Sequence, residues 1–148
     1  MQLLMFSKML KEAGKLSVDE AGDRIAEMGF DGVDLTVRPG GHVLPEEVRG
    51  KLPEAVGILE SKGLVVPMIT TEITDAEEKY AEDIFRTASH CSVKFLKLGY
   101  WPYEGFGKLK EQIESVKVRL KGIQDLGKRY GVTAAIHILS GNLLSANP

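Results

Sequence analysis

The chain has 148 residues, enough for a single domain with a substantial core, and its 43% apolar and 27% charged content is that of an ordinary globular protein. A net charge of -2 argues against a nucleic-acid binder driven by phosphate contacts, and the apolar runs are too short to cross a bilayer. The single cysteine, Cys91, cannot close an internal disulfide, which points to a reducing, cytoplasmic setting.

The apolar start MQLLMFSKML carries Lys8 and Lys11 after its apolar run instead of before it, and no small-residue cleavage site follows, so no signal peptide is expected. Leu3 to Ser7 is the first expected strand. Ser17 with Glu20 three residues on makes a capping box, opening a helix whose buried stripe is Ala21, Ile25, Ala26 and Met28 and whose end is Gly29. In FDGVDLTVRPGGHVLP, Phe30 to Pro45, a second strand runs from Val33 to Val37. Its alternation sends Val33, Leu35 and Val37 one way and Asp34, Thr36 and Arg38 the other. Pro39, Gly40 and Gly41 end the strand and leave His42 on a polar loop, either at the mouth of an α/β ligand site or as a solvated turn residue.

Pro53 fits the first position of the next helix, with Ala55, Val56, Ile58 and Leu59 facing the core and Gly63 ending it. Leu64 to Thr71 is the third strand, although Pro67 cannot donate to a ladder. Thr74 or Asp75 then caps a helix over Glu77 to Ser89, followed by a fourth strand, Phe95 to Tyr100. A long amphipathic helix spans Leu109 to Tyr130 with Ile113, Val116, Leu120, Ile123 and Leu126 at helical spacing. Val132 to Ile138 is a fifth strand, and Ser140 to Pro148 is a polar, turn-rich tail.

The order β-α-β-α-β-α-β-α-β, with about thirty residues per unit, predicts parallel βα repeats, either part of a (β/α)8 TIM barrel or an open doubly wound sheet. No glycine fingerprint follows the first strand, and P-loop, CxxC and HExxH patterns are missing. In a barrel of five strands, the first and fifth would present open edges, so either another copy covers them or the fold closes differently.

The blocks FSKML, GFDGVDLTVRPGGHVLPE, VPMITTEITDA, KFLKLGYWPY and YGVTAAIHILSGN, in this order over nearly the whole chain, resemble the sugar phosphate isomerase/epimerase family. The resemblance implies a xylose-isomerase-like TIM barrel, here its N-terminal half with about five strands and four helices, since a full barrel takes about 250 residues. It further implies a sugar or sugar-like substrate and a divalent metal, Mn²⁺ or Mg²⁺. The chemistry implied is proton abstraction next to a carbonyl, with the metal polarising the substrate oxygens. The family's later strands, which carry most of its metal ligands and a catalytic glutamate, have no counterpart here. Where its fifth strand ends in an acidic or amide residue followed by Asn-His, this chain has His137, Ile138 and Leu139.

Seven residues are candidates. Glu72 follows a β-rich strand and is either a general base or an acid favoured by a helix N-terminus. Lys97 alternates with Phe95 and Gly99 and points into a barrel if Leu96 and Leu98 pack on helices; either it or Glu72 is the catalytic base or acid. Asp34 and Arg38 share a strand face and either pair with each other or touch substrate, and His42 is a further substrate contact. Trp101 is a sugar-stacking wall or a cover for the core, and His137 is a metal ligand or a satisfied core histidine. Two functions stand: an isomerase or epimerase, incomplete as given, and a non-catalytic half-barrel that forms a homodimer or binds a partner across its open edges. A small-ligand-binding open-sheet domain is a third.

Overall fold

Short β-branched and aliphatic runs alternate with amphipathic helices, and in a computed structural model they form one parallel sheet layered on helices. The structure describes residues 1–146, so the last two residues of the tail lie outside the described residues. The strands are β1 (Leu4–Phe6), β2 (Gly32–Thr36), β3 (Val65–Thr70), β4 (Phe95–Lys97) and β5 (Thr133–Ala135). They pair in sequence order, all parallel. The helices are α1 (Lys8–Gly14), α2 (Val18–Glu27), α3 (Val48–Ser61), α4 (Ala81–His90) and α5 (Leu109–Tyr130). This is a partial (β/α)8 barrel, one of the two arrangements the alternation allows.

The layer between strands and helices is the core. Val33, Leu35 and Val37 of the β2 region, Ile69 of β3 and Leu96 and Leu98 around β4 are buried against Ile25, Leu52, Leu59, Phe85 and Ile123 of the helices. The predicted faces of β2 and β4 are therefore the observed ones. Ser17 caps α2 as expected: its Oγ accepts from the Glu20 N–H at 3.3 Å and the Glu20 carboxylate accepts from the Ser17 N–H at 2.9 Å. A cap of this kind stabilises a helix by about 1 kcal/mol.

Several local expectations need correction. Two helices, not one, separate β1 from β2: α1 is an added short helix closed by Lys15 in the left-handed region (φ 51°). Ala26 and Met28 are exposed, and Gly22 takes the buried position, where the Leu59 and Lys62 side chains at the α3 end pack against it. Pro53 lies inside α3, which begins at Val48 after a 3₁₀ turn, Pro45–Glu47. Arg49 and Pro53 are both exposed, so the carbonyl that the proline leaves without a helix donor lies on the solvent side. Neither Thr74 nor Asp75 caps α4. The Glu78 carboxylate instead folds back to accept from the Thr74 N–H (2.8 Å) and the Asp75 N–H (3.0 Å), which delays the helix to Ala81. Ile113 is 39% exposed, so the first half of α5 lies only loosely on the core.

Pro67 is accommodated by a bulge. The β2–β3 register shifts between Gly32 and Asp34, so the Val66–Pro67 pair stands opposite Val33 alone. The bulge spares the ladder the donor that proline lacks.

At the C-terminal end of the sheet the ladder continues beyond the strands. The Thr71 N–H donates to the Lys97 carbonyl (2.9 Å), the Leu98 N–H to the Ala135 carbonyl (2.9 Å) and the Gly99 N–H to the Ile73 carbonyl (2.8 Å). Gly99 has no room for a side chain: a Cβ there would press on the backbone of Glu72 and on the Thr74 methyl. Gly99→Ala is expected to destabilise the fold by about 1–3 kcal/mol, through a contact that only backbone movement relieves. Urea denaturation checks this, and an unchanged midpoint would show that the β4 end is not held against Glu72.

Candidate functional site

The strand face turned away from the helices is polar at its C-terminal end. Period-two alternation places Asp34 from β2, Met68 and Thr70 from β3, Lys97 from β4 and, just past β5, His137 on this inner face. With Arg38 and Tyr100 they line an open cavity of about 590 Å³. The register orders them: Asp34 pairs with Met68, and Thr70 pairs with Lys97.

Thr70 is the link. Its Oγ1 lies 2.9 Å from both carboxylate oxygens of Asp34, and its own residue sits beside Lys97 in the ladder. Burial pushes the Asp34 carboxyl above its ordinary value, against the pull of the Thr70 hydroxyl and the positive Lys97. Lys97 is 6% exposed. Its Nζ stands 3.7 Å from the centre of the Tyr100 ring and makes no ion pair or hydrogen bond among the described residues. Burial, and then the nearby Arg38, lower its pKa, while Asp34 and Glu72 oppose the shift. The Tyr100 hydroxyl in turn hydrogen-bonds His137 Nδ1 at 3.0 Å.

Of the seven predicted residues, the structure brings Asp34, Arg38, Lys97 and His137 together and places three elsewhere. Asp34 and Arg38 do not pair with each other; Arg38 meets Glu12 at 3.6 Å and Glu72 at 3.5 Å, its long side chain reaching past the strand end to the loop acids. Glu72 is more than half exposed and borders a separate depression with Lys79 and Tyr80. His42 turns its ring inward to β1 and β2, with Nδ1 at 3.1 Å from Ser7 Oγ and 3.3 Å from Thr36 Oγ1. Its Nε2 is buried without a partner, and burial, then Lys11, lower its pKa. Trp101 is 6% exposed within the core cluster, and its indole N–H has no partner among the described residues.

Tyr100 and Thr70 are the site residues that sequence reasoning passed over. Thr70 was accessible from strand alternation with Met68. Tyr100 was not, because β4 ends at Lys97 and the alternation stops there.

Among the described residues no group of three or more His, Cys, Asp or Glu side chains is arranged to hold a metal ion. The inner face offers Asp34, committed to Thr70, and His137, whose Nδ1 is committed to Tyr100. These residues do not make up the divalent-metal site that the family resemblance implies. No helix among the described residues is long and apolar enough to cross a membrane.

Solved structures share this architecture. One is the IOLI protein with a bound zinc atom, with 16% identity over 92% of this chain and 51% of that one (TM-score 0.65). Another is apo 3-keto-D-glucoside 4-epimerase, YcjR, from E. coli, with 17% identity over 86% and 53% (TM-score 0.63). A third is D-allulose 3-epimerase from Methylomonas sp. in complex with D-allulose, with 12% identity over 86% and 47% (TM-score 0.59). The chain thus spans about half the length of the structures it matches, and at these identities the likeness establishes the fold. No family model and no curated protein sequence matches it.

Because the folded-state pKa of Asp34 is raised, the fold binds that proton more tightly than the unfolded chain does. Between the carboxyl's ordinary value of 3.8 and its raised value, stability therefore falls as pH rises. Asp34→Asn is expected to raise Tm at pH 7 and to lose that advantage near pH 3.5, a comparison that thermal melts at the two pH values make directly. Equal effects at both would mean that the carboxyl is not desolvated.

Proposed function

We propose that this chain is a single domain, the N-terminal half of a xylose-isomerase-like barrel. On this reading its inner face binds a small sugar or sugar-like carbonyl compound and moves a proton on the carbon next to the carbonyl. The observation that carries this reading is the convergence of Asp34, Lys97, Tyr100 and His137 at the C-terminal ends of parallel strands, where such folds place their ligand sites. The epimerase names of structurally similar proteins support the substrate class.

The chain's own residues divide the work. Asp34, with its raised pKa, is a stronger base than a solvated carboxylate once ionised and serves as proton acceptor. Arg38 draws electron density to the substrate oxygen, and Lys97 stands beside it on the same face. The Tyr100 hydroxyl, backed by His137, exchanges a proton with that oxygen. Glu72 holds Arg38, His42 braces β1 against β2, and Trp101 closes the sheet end, so these three act through position.

D-allulose is the probe of choice. Saturable binding in the millimolar range is expected by saturation-transfer NMR, weakened about tenfold, or by about 1.4 kcal/mol, in Asp34→Ala. An absence of saturable binding to the folded wild-type protein counts against the reading.

A second reading is favoured by the uncovered apolar residues around β4 and β5. Phe95 is 46%, Ile136 48%, Ile138 59% and Leu139 41% exposed, and β1 and β5 are open edges. With five strands present, a second copy of this chain is the proposed cover, without rebuilding the family's later-strand residues. Sedimentation velocity is expected to show a dimer that Ile138→Lys dissociates. A monomer throughout the micromolar range would remove this reading.

A further inference from the structure

Removing a proton next to a carbonyl requires somewhere for the electron pair to go. The inner face provides an unusual amine. Lys97 is nearly fully buried, carries no carboxylate on its Nζ, and opens on a cavity lined by Asp34, Thr70, Tyr100 and His137. A buried ammonium is costly without a paired acid, and a surface-seeking role would have left this side chain exposed. Its neighbours also favour the neutral, nucleophilic amine: burial and the Arg38 guanidinium lower its pKa. A desolvated lysine beside a second cation is the arrangement that activates an amine toward carbonyl carbon.

We propose that Lys97 forms an imine with the carbonyl carbon of a small ketose or 2-oxo compound held on the inner face. The proposal rests on the inner face being a site for a carbonyl compound. The Nζ lone pair forms the C–N bond as the carbonyl π pair moves to oxygen. That oxygen gains a proton through the Tyr100–His137 pair and a second on leaving as water, while nitrogen gives up a proton and closes the C=N bond. In the protonated imine, Asp34 takes the proton from the adjacent carbon. The C–H pair becomes the C=C bond of an enamine, and the C=N π pair moves to nitrogen. Return of the proton to either face, followed by addition of water, restores the amine and releases an epimerised ketose. No oxidant or reductant is consumed.

The test is reductive trapping. Wild-type protein is incubated with D-allulose, and separately with pyruvate, in sodium cyanoborohydride, then analysed by intact-mass and peptide mass spectrometry. The expected product is one adduct, of the compound's mass less one oxygen, on Lys97, formed at least about tenfold faster than on any other lysine. Lys97→Arg keeps the charge without the primary amine and is expected to form no such adduct while retaining its circular dichroism. Uniform labelling of surface lysines, or no adduct from either compound, overturns the imine. Saturable D-allulose binding by NMR without an adduct leaves the sugar-site reading standing and removes the imine. A pyruvate adduct on Lys97 without D-allulose binding does the reverse.

Discussion

The register of β3 between its neighbours is the constraint on which the site depends. A shift of one residue turns every side chain of a strand to the opposite face. Here the bulge opposite Val33 absorbs Pro67 and restores the register so that Asp34 lies beside Met68 and Thr70 beside Lys97. Without that extra residue, Ile69 would face the cavity and Thr70 would enter the helix-covered core. The same bulge therefore excuses a proline in an interior strand and lets one hydroxyl stand between the Asp34 carboxylate and the Lys97 strand.

Charge around this row is unevenly settled. Arg38 is met by Glu12 and Glu72, two partly exposed acids, so its positive charge is answered at the rim. Lys97, deeper and more buried, has an aromatic face in place of an acid. A ring face favours a cation, but burial and the neighbouring Arg38 act against it. The carboxyl of Asp34 is shifted toward the protonated form by the same dry surroundings. Opposed shifts in an acid and an amine sharing one face are a usual mark of a reactive site, because each group is brought nearer to exchanging its proton at neutral pH. His42, also desolvated, is instead consumed by structure: its ring ties Ser7 to Thr36 and steadies the first two strands.

The two sheet faces are covered differently. Helices bury the outer face so thoroughly that Leu35, Ile69 and Leu96 are at most 1% exposed. On the inner face Phe95 remains nearly half exposed, and the apolar residues after β5 are similarly open. Parallel strands ordinarily have both faces covered. The inner face carries Asp34, Thr70, Lys97 and His137 at the C-terminal ends of the strands, with apolar Ile136 and Leu139 in the same cavity lining.

Periodicity and punctuation in the sequence determined the parallel βα order, the outward faces of β2 and β4, the α5 limits and the capping box of α2, since each follows from local spacing and backbone chemistry within a few residues. Asp34, Arg38, Lys97 and His137 were likewise legible as inward or strand-end positions. What local pattern does not encode is which of two reachable partners a long side chain takes. Only the tertiary structure decided that Arg38 turns to Glu12 and Glu72 instead of Asp34, that His42 bonds Ser7 and Thr36, and that Glu78 folds back and postpones α4. Tyr100 entered the site for the same reason: beyond the end of β4 no alternation governs direction, and its hydroxyl found His137, which lies 37 residues away in the chain.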